Sequence, residues 1–494
     1  MALADFSIAH GDFGYDITDY CAIDPLFGTL ADFDALLSEA HARGLRVILD
    51  FVPNHTSHHH PWFLASRTSC SHAKRDWYLW RDPAPDGGPP NNWRSVTGGS
   101  AWTFDKATRQ YYLHSFLPSQ PDVNWRHPGV RTAMFDAMRF WLSRGVDGLR
   151  LDMIDFLLKD VAFRDEPSSH PLQAYTFPEA RCHLNRPETL DLIRELRHVM
   201  DEYPQRVSIG EIVPHLPLTQ VFSYYGNGDL LHLPFNFALL HTPRTASDVG
   251  TVVCAYDAAL PAHAWPNYTL GNHDTPRLAS RLGPEQVRLA AMLLLTLRGT
   301  PFLYYGDELG LPNVFLPSEY IQDPWERMHP GAGRDAERAP MPWTPEPQAG
   351  FSEGRPWLPL PSDFAHVSVA RQQSEPTSLL HLYQQLIALR RTSTALQKGS
   401  FFALTGLPRC IFAYQRSSPR QTMLIVLNFD NVSHTLESPD KESTWAIWLS
   451  THLDREESPG RSVVLHPYEG VLLERSDTPA AHLNTGTTRY FLTV

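Results

Sequence analysis

The sequence predicts a (β/α)8 barrel with an inserted subdomain, followed by an antiparallel β-sandwich domain. Strand and helix patterns alternate from about residue 31 to residue 397 of the 494, which indicates βαβ units and a parallel sheet. Residues 56–118 interrupt this alternation with a long stretch rich in Pro, Gly and Trp. Structureless loops of that length are uncommon, so a small subdomain is expected there. From about Phe401 the pattern changes to short alternating strands, which is typical of a β-sandwich.

Apolar periodicity and breaker residues define the individual elements. Helices are predicted over residues 32–43, 132–144, 187–202, 286–297 and 379–391, and strands over 45–51, 148–154, 207–211 and 302–305. These elements assign residues 1–55 and 119–400 to the barrel, 56–118 to the inserted subdomain and 401–494 to the sandwich domain.

Composition excludes several classes of protein. Asp and Glu number 54 against 42 Lys and Arg, a net charge of −12, and an acidic surface repels nucleic-acid phosphates. Apolar runs such as 290–297 are too short to span a bilayer. The five cysteines are scattered without a CxxC pair, which favours free thiols in a reducing compartment and hence the cytoplasm. No partner besides a small substrate is expected, and the chain is expected to be a monomer or a homodimer.

Reactive groups of barrel enzymes lie at the carboxyl ends of the strands, so polar residues after each apolar run are the candidates. Such positions supply three carboxylates and three basic groups: Asp152, Glu211 and Asp274, with Arg150, His55 and His273. Arg150 and Asp152 are two residues apart, which places both on one side of a strand. A cation there stabilises the negative charge of the Asp152 carboxylate.

Glycoside hydrolysis requires this kind of set, namely one carboxylate as nucleophile or base and one protonated carboxyl as acid. Histidine rings suit sugar hydroxyls because each ring can donate and accept. Taken singly, each motif has a commoner structural interpretation: an ion pair for Arg150 and Asp152, a cap for Glu211, a turn for residues 272–274. Their joint occurrence, in order and at strand ends, favours the functional interpretation.

The motifs that carry these residues closely resemble the α-amylase superfamily of glycoside hydrolases, in its oligo-1,6-glucosidase and α-glucosidase branch. They are DFVPNH (50–55), QPDVNW (120–125), GLRLDMI (148–154), GEI (210–212) and GNHD (271–274). The resemblance runs from about residue 12 to the C-terminus, and the QPDVNW segment is typical of the α-glucosidases.

The resemblance implies a role for each matching residue. Asp152 matches the nucleophile, Glu211 the general acid and base, and Asp274 the carboxylate that stabilises the transition state. The substrate-binding positions it implies are Asp12, Tyr15, His55, Phe116, Arg150 and His273, together with Arg334 or Arg338 as the arginine that pairs with Asp12; the sequence leaves both arginines open.

The activity implied is that of a retaining, exo-acting α-glucosidase on maltose-type or isomaltose-type short oligosaccharides, with transglucosylation as a side reaction. A sucrose isomerase or hydrolase of the same superfamily is an alternative, and so is an inactive fragment. A non-enzymatic relative, like the heavy chains of amino-acid transporters, is disfavoured because all three carboxylates are present.

Two residues depart from the family pattern near the expected site. Met153 follows the predicted nucleophile where relatives carry Val, Thr or Ala, a position linked with the choice between α-1,4 and α-1,6 bonds. Thr97 stands where close relatives have an aromatic residue beside the leaving group. The linkage preference therefore stays open.

The N-terminus departs furthest. Relatives carry about 50 residues before the segment that begins at Asp12, and these hold two strands and a helix of the barrel. The chain is therefore expected to be N-terminally incomplete, unstable and weakly active. The calcium-type loop of this branch falls in the same part, so neither a bound metal nor another cofactor is expected.

Overall fold

The computed structural model describes residues 6–8, 11–166, 182–214, 216–241, 245–437, 444–455 and 462–476. The chain divides into two compact units. The first contains residues 1–238, 258–269 and 316–338, and the second contains residues 239–257, 270–315 and 339–494. The domain limits predicted from the sequence extend outside the described residues and stay predictions.

Strands and helices alternate along most of the chain. The strands are β1 (Phe6–Ile8), β2 (Ile17–Ile23), β3 (Ile48–Phe51), β4 (Trp80–Arg81), β5 (Trp102–Asp105), β6 (Gln110–Leu113), β7 (Gly148–Leu151), β8 (Val207–Gly210), β9 (Leu233–Pro234), β10 (Asn267–Thr269), β11 (Thr300–Phe302), β12 (Ser400–Ala403), β13 (Ile411–Ser418), β14 (Gln421–Asn428), β15 (His434–Glu437), β16 (Thr444–Ser450), β17 (Ser462–Leu465) and β18 (Gly470–Ser476).

The helices cover the segments between the strands. They are α1 (Leu30–Ala42), α2 (Pro61–Ser66), α3 (Pro128–Arg144), α4 (Thr189–Asp201), α5 (Leu218–Ser223), α6 (Ala246–Ala259), α7 (Leu278–Leu282), α8 (Val287–Thr296), α9 (Pro324–Met328), α10 (Phe364–Val367), α11 (Val369–Gln373), α12 (Leu379–Thr392) and α13 (Thr394–Lys398). None of the helices in the described residues is long and apolar enough to cross a membrane.

A parallel sheet in the order β3-β7-β8-β9 forms the centre of the first unit. Its strands are short and largely buried, as expected for parallel strands covered on both faces. In its register Asp50 of β3 lies opposite Arg150 of β7, and Arg150 lies opposite Ile209 of β8. This alternation of helices and parallel strands agrees with the predicted barrel architecture. The expectation that two barrel strands are missing stays a prediction.

Helix α3 is four residues longer at its start than the predicted 132–144. Pro128 occupies the first turn, where its missing N–H costs no hydrogen bond, and the His127 side chain accepts from Gly129 N. The helix ends at Gly145, whose φ of 109° lies in the left-handed region that favours glycine. Met134, Met138 and Trp141 on its inner face join the core of the first unit.

The segment between β3 and α3 contains α2 and a three-stranded antiparallel sheet in the order β4-β6-β5. Aromatic packing gives it a core of its own. Phe63 of α2 stacks on Trp80 with ring centroids 5.6 Å apart and meets the edge of Tyr112 at 5.1 Å. This agrees with the small inserted subdomain expected from the sequence.

The C-terminal part of the second unit contains a five-stranded antiparallel sheet, β12-β13-β14-β18-β16, and a two-stranded one, β15-β17. Apolar residues of both sheets share one buried cluster, among them Leu424, Val426 and Leu465. Two sheets that bury one common layer form a β-sandwich, so the predicted C-terminal sandwich is confirmed.

All four predicted strands have different limits in the structure, and two of the differences have a clear local cause. The strand expected over 148–154 ends at Leu151, because Met153 adopts a left-handed φ of 38° and residues 154–156 form a 3-10 turn. The strand expected over 302–305 spans 300–302 instead, because the Asp307 side chain accepts from Tyr304 N at 3.2 Å and closes a turn there.

Gly148 provides a test of the sheet register that positions Arg150. A Cβ at Gly148 would overlap the backbone carbonyl oxygen of Val207 on the neighbouring strand, and backbone cannot give way cheaply. Gly148→Ala should therefore lower the free energy of unfolding by about 1–3 kcal/mol, the usual cost of overpacking. Chemical denaturation measures this loss.

Gly354→Ala is the matched control, since a Cβ there meets no atom within 4 Å. Equal unfolding free energies for the two variants would contradict the close approach of β7 and β8.

Candidate active site

The carboxyl ends of three neighbouring parallel strands place two acidic side chains side by side. Asp152 follows β7 directly, and its N–H donates to Phe51 O at 2.9 Å. Glu211 follows β8, and its N–H donates to Leu151 O at 2.8 Å. The ladder thus continues one residue beyond each strand, and both carboxylates project from its last rung.

Arg150 joins these carboxylates through one guanidinium. Its Nη1 donates to Asp152 Oδ1 at 2.6 Å and to Asp50 Oδ1 at 2.7 Å, and its Nη2 donates to Glu211 Oε2. The side chain is only 3% exposed. Burial by itself would lower the pKa of Arg150, but Asp50 and Glu211 raise it well above its ordinary value. A cation that cannot deprotonate therefore keeps one carboxylate ionised beside another, an arrangement suited to a nucleophile and an acid–base partner.

Asp50 is the third carboxylate on this guanidinium, and sequence reasoning did not assign it a role. It is fully buried, and the Tyr15 hydroxyl donates to its Oδ2 at 2.8 Å. Burial raises the pKa of Asp50 to about 6 despite the opposing effect of Arg150, and the Asp152 charge adds to the rise. Its place at the start of DFVPNH, in a strand predicted to adjoin that of Arg150, was the available signal.

Arg334 is the arginine that pairs with Asp12. Its Nη2 donates to Asp12 Oδ1 at 2.8 Å, and its Nε donates to Asp323 Oδ2 at 2.8 Å. All three side chains are at most 7% exposed. Arg338, the other sequence candidate, lies 5.0 Å above the ring of Phe13. The structure thus pairs Arg334 with Asp12, and the positive charge of Arg338 also acts on Asp12. The substrate-binding role of both arginines stays a prediction.

Gln120 ties Asp12 to Tyr15. Its Nε2 donates to Asp12 Oδ2 at 3.0 Å and to the Tyr15 carbonyl oxygen at 3.1 Å. Burial raises the pKa of Asp12, and Arg334 opposes this rise. The QPDVNW motif contains Gln120 but does not indicate its function. A buried amide that contacts residues more than 100 positions away leaves no local sequence pattern.

His55 and Phe116 pack against each other next to Tyr15. Their rings are 5.2 Å apart and tilted by 52°. His55 Nε2 lies 2.9 Å from the Tyr15 carbonyl oxygen, and its Nδ1 lies 3.2 Å from Asn54 Nδ2. Both ring nitrogens therefore have protein partners, and the imidazole holds the Tyr15 backbone in place.

Asp274 and His273 belong to the second unit. His273 Nε2 lies 3.2 Å from Asp274 Oδ2, with side chains 14% and 22% exposed. The Asn272 side chain accepts from Asp274 N at 3.1 Å and from the Thr275 hydroxyl at 2.8 Å. The GNHD motif thus forms a side-chain-stabilised turn that presents one carboxylate and one imidazole.

The two departures from the family pattern both lie in the first unit. Met153 follows Asp152 in a left-handed conformation and packs against a buried cluster that includes Phe116 and Trp325. Thr97 is buried, and its hydroxyl lies 2.8 Å from Ser95 Oγ. Two groups of side chains in the described residues could hold a metal ion, and neither group includes a residue of this site.

Known proteins are similar to this chain in sequence and in fold. The catalytic-domain model of the Alpha-amylase family matches residues 6–399. A "Probable alpha-glucosidase" of Rhizobium meliloti is 41% identical over 87% of this chain and 81% of its own length. An "Oligo-1,6-glucosidase" of Parageobacillus thermoglucosidasius is 33% identical over 93% and 88%. The crystal structure of a trehalulose synthase variant superposes with a TM-score of 0.89 at 32% identity, covering 96% of this chain and 91% of that one.

The buried Asp12–Arg334–Asp323 cluster generates a stability prediction. Arg334→Ala leaves two buried carboxylates without their cation, so it should lower the free energy of unfolding by about 3–5 kcal/mol. Burial already raises the pKa of Asp12, and loss of the Arg334 cation raises it further, so the folded variant takes up a proton more readily in acid. The loss of stability should therefore shrink as the pH falls from 8 to 5.

Arg327→Ala is the control, because Arg327 is exposed and its Nη2 donates to the Ile321 carbonyl oxygen at 3.1 Å, with no carboxylate depending on that contact. It should change stability by about 0.5 kcal/mol or less. A loss in Arg334→Ala no larger than the control, measured by urea denaturation, would contradict the buried ion cluster.

Proposed function

The chain belongs to the Alpha-amylase family, and we propose that it is a retaining, exo-acting α-glucosidase that acts on short maltose-type or isomaltose-type oligosaccharides. One observation carries the proposal: a buried guanidinium binds two carboxylates at the ends of adjacent parallel strands. Within a glycoside hydrolase family this arrangement matches the nucleophile and the acid–base residue of double displacement.

In the first proposed step Asp152 attacks the anomeric carbon of the terminal glucose. The bond from that carbon to the glycosidic oxygen breaks, and a proton from Glu211 passes to the departing oxygen. The 2.6 Å contact with Arg150 favours the ionised, nucleophilic form of Asp152. Glu211 contacts the same guanidinium, so its carboxyl must turn from Arg150 to the glycosidic oxygen when substrate enters.

In the second step water attacks the glucosyl ester, Glu211 accepts the water proton, and Asp152 is released as a carboxylate. When a sugar hydroxyl takes the place of water, the product is a transferred glucoside. Two carboxylates that share one guanidinium lie close together. This supports direct attack at a separation of about 5–5.5 Å over the about 6.5–9.5 Å of inverting enzymes, and hence retention of the α-configuration.

The exo-specificity rests on Asp12, Tyr15 and the residues that hold them. Arg334 and Gln120 each occupy one oxygen of the Asp12 carboxylate. Because each carboxylate oxygen has a second lone pair, Asp12 can still accept hydrogen bonds from hydroxyls at the non-reducing end of the sugar. The Tyr15 ring, fixed through its hydroxyl to Asp50, is the proposed platform for the same ring. His55 and Phe116 complete this proposed subsite, and Arg338 adds positive charge near Asp12.

Asp274 is proposed as the carboxylate that stabilises the transition state, and His273 as its sugar-binding neighbour. This proposal rests on their GNHD motif and on the turn that presents them. Positive charge develops on the sugar as the ring approaches an oxocarbenium ion, so an additional carboxylate lowers that barrier.

Sucrose isomerisation or hydrolysis is the second candidate, favoured by the TM-score of 0.89 with a trehalulose synthase. A panel of maltose, isomaltose and sucrose separates the candidates. Glucose from maltose or isomaltose supports the proposed glucosidase, whereas conversion of sucrose into an isomeric disaccharide supports the alternative. The same panel measures the linkage preference that the sequence leaves open.

A cytoplasmic location is proposed from the cysteines, all five of which are free thiols in the structure, as expected in a reducing compartment. The proposed partner is the oligosaccharide substrate itself. The choice between monomer and homodimer stays a prediction that light scattering can test.

The proposed nucleophile has a direct test. The wild-type chain should release glucose from p-nitrophenyl α-glucoside with α-glucose as the first product by NMR. Asp152→Asn should lower kcat by about 10⁴-fold or more, because an amide does not form the glucosyl ester. Asp86→Asn, on an exposed loop, is the matched control and should keep full activity. Substantial turnover by Asp152→Asn, or β-glucose as first product, would overturn the proposal.

Asp50 generates a pH prediction. Its pKa of about 6 lies above the ordinary 3.8, so the folded chain holds this proton between about pH 4 and pH 6. Stability from this group is therefore present in acid and lost as the pH rises through 6. The wild-type kcat/KM should fall below about pH 6, where a protonated Asp50 binds Arg150 less strongly.

Asp50→Asn should remove this acidic limb and lower kcat/KM by about 10- to 100-fold, as expected for loss of one charge-assisted hydrogen bond of about 1.5–3 kcal/mol. The pH profile distinguishes positioning of Arg150 from a structural effect, which would lower Tm and leave the limb in place. An unchanged limb in Asp50→Asn would contradict the positioning role.

A further inference from the structure

A cysteine, an aspartate and a histidine lie close together at one end of the C-terminal sandwich, next to β13, β14 and β15. Side chains of these three kinds are common metal ligands. Cys410 precedes β13, Asp430 follows β14 and His434 opens β15. Cys410 Sγ lies 3.3 Å from His434 Nε2, and Asp430 Oδ2 lies 3.1 Å from the same nitrogen. All three donor atoms lie within 4.8 Å of one another, which is close enough for one ion to contact all three.

This geometry differs from that of a catalytic cysteine–histidine–aspartate relay. In a relay the thiol and the carboxylate use the two different ring nitrogens of the histidine. Here the thiol and the carboxylate both approach Nε2. That nitrogen either donates to Asp430 or accepts from Cys410, so it forms a hydrogen bond with only one of them at a time. Donor atoms that converge in this way are the arrangement a metal ion requires.

The spacing also fits a tetrahedral ion. Zinc–sulfur and zinc–nitrogen bonds of about 2.3 and 2.0–2.1 Å at a tetrahedral angle place sulfur about 3.5 Å from nitrogen, and nitrogen about 3.3 Å from a carboxylate oxygen. The observed 3.3 and 3.1 Å need an outward movement of only a few tenths of an ångström. Thiolate and imidazole donors favour zinc over the hard cations Mg²⁺ and Ca²⁺.

We propose that Cys410, Asp430 and His434 form a binding site for Zn²⁺ in the sandwich domain, with water as the fourth ligand. On binding, the Cys410 thiol loses its proton to solvent and the sulfur bonds to the metal as a thiolate. The imidazole of His434 binds through neutral Nε2, and Asp430 binds as a carboxylate.

The backbone around the site holds the donors in place. Phe429 N donates to the Cys410 carbonyl oxygen at 2.9 Å, and Tyr468 N donates to the Asp430 carbonyl oxygen at 2.9 Å. Asp430 N donates to Asn428 Oδ1 at 3.0 Å. The ligands are therefore anchored independently of the ion, and a preorganised site binds more tightly than one that must first be ordered.

An ion in this position would join the two sheets of the sandwich. Cys410 and Asp430 flank strands of the five-stranded sheet, whereas His434 belongs to the two-stranded sheet. A ligand that binds only the folded state raises the unfolding temperature, so the proposed zinc is a structural clamp between the sheets.

This site could not be predicted from the sequence, because its three residues do not form a known metal-binding motif. Cys410 and His434 are separated by 24 positions, outside the short Cys and His spacings of familiar zinc motifs. The expectation of no metal rested on the calcium-type loop of relatives, which falls in the N-terminal part that this chain was expected to lack, and did not concern these three residues.

The test uses the full chain without a histidine tag, reduced and then dialysed first against Zn²⁺ and next against metal-free buffer. Elemental analysis should find one zinc per chain, and zinc should raise Tm. Cobalt in place of zinc should give a thiolate-to-cobalt charge-transfer band. Cys410→Ser and His434→Gln should each weaken zinc binding by roughly 10- to 100-fold or more. Cys410→Ser should also abolish the charge-transfer band, and added zinc should no longer raise Tm in either variant.

Matched controls are Cys254→Ser, at a half-buried cysteine of α6, and His366→Gln, at an exposed histidine of α10; both should bind zinc as the wild type does. Asp430→Asn, which keeps the side-chain shape, tests the site if Cys410→Ser fails to fold. Zinc retention by Cys410→Ser, or no zinc retained by the wild type, would overturn the proposal and leave only a hydrogen-bonded thiol.

Discussion

The candidate active site depends on one buried cation. Arg150 lies in the second strand of the parallel sheet, opposite Asp50 in the first, and its guanidinium reaches both carboxylates that follow the strand ends. Removing charged groups from water is costly unless each is paired and hydrogen-bonded. Only a bidentate, permanently charged side chain satisfies several carboxylates in so small a volume. The positions of Asp50, Asp152 and Glu211 therefore follow from where Arg150 can be placed.

One cation does not neutralise three carboxylates, and the excess negative charge has two consequences. Burial raises the pKa of Asp50 to about 6, with the Asp152 charge adding to the rise, so a proton on Asp50 relieves part of the excess once the pH falls below about 6. The remainder faces the position where the proposed reaction develops positive charge on the sugar. Carboxylates fixed before substrate arrives need no reorganisation in the transition state, which is the basis of electrostatic catalysis.

The chemistry-bearing residues could be predicted from the sequence because their positions follow a local rule. Asp152 and Glu211 directly follow short apolar runs, and the strand ends lie where those runs end. The choice between Arg334 and Arg338 could not be predicted, since the partner of Arg334 is 322 positions away. Gln120 escaped for the same reason. The strand over 148–154 was predicted too long because a left-handed residue, Met153, breaks a run that composition alone would continue.

The residues that define the proposed specificity come from a different kind of element. Asp12, Gln120 and Arg334 lie outside the parallel strands, in segments that a barrel can vary without disturbing its sheet. The Arg150 cluster instead depends on the register of β3, β7 and β8, where a change of one residue would point the side chains to the opposite face. Chemistry held by strands and specificity held by connecting segments can change independently. This accounts for a family in which relatives named as glucosidases and a trehalulose synthase share one fold.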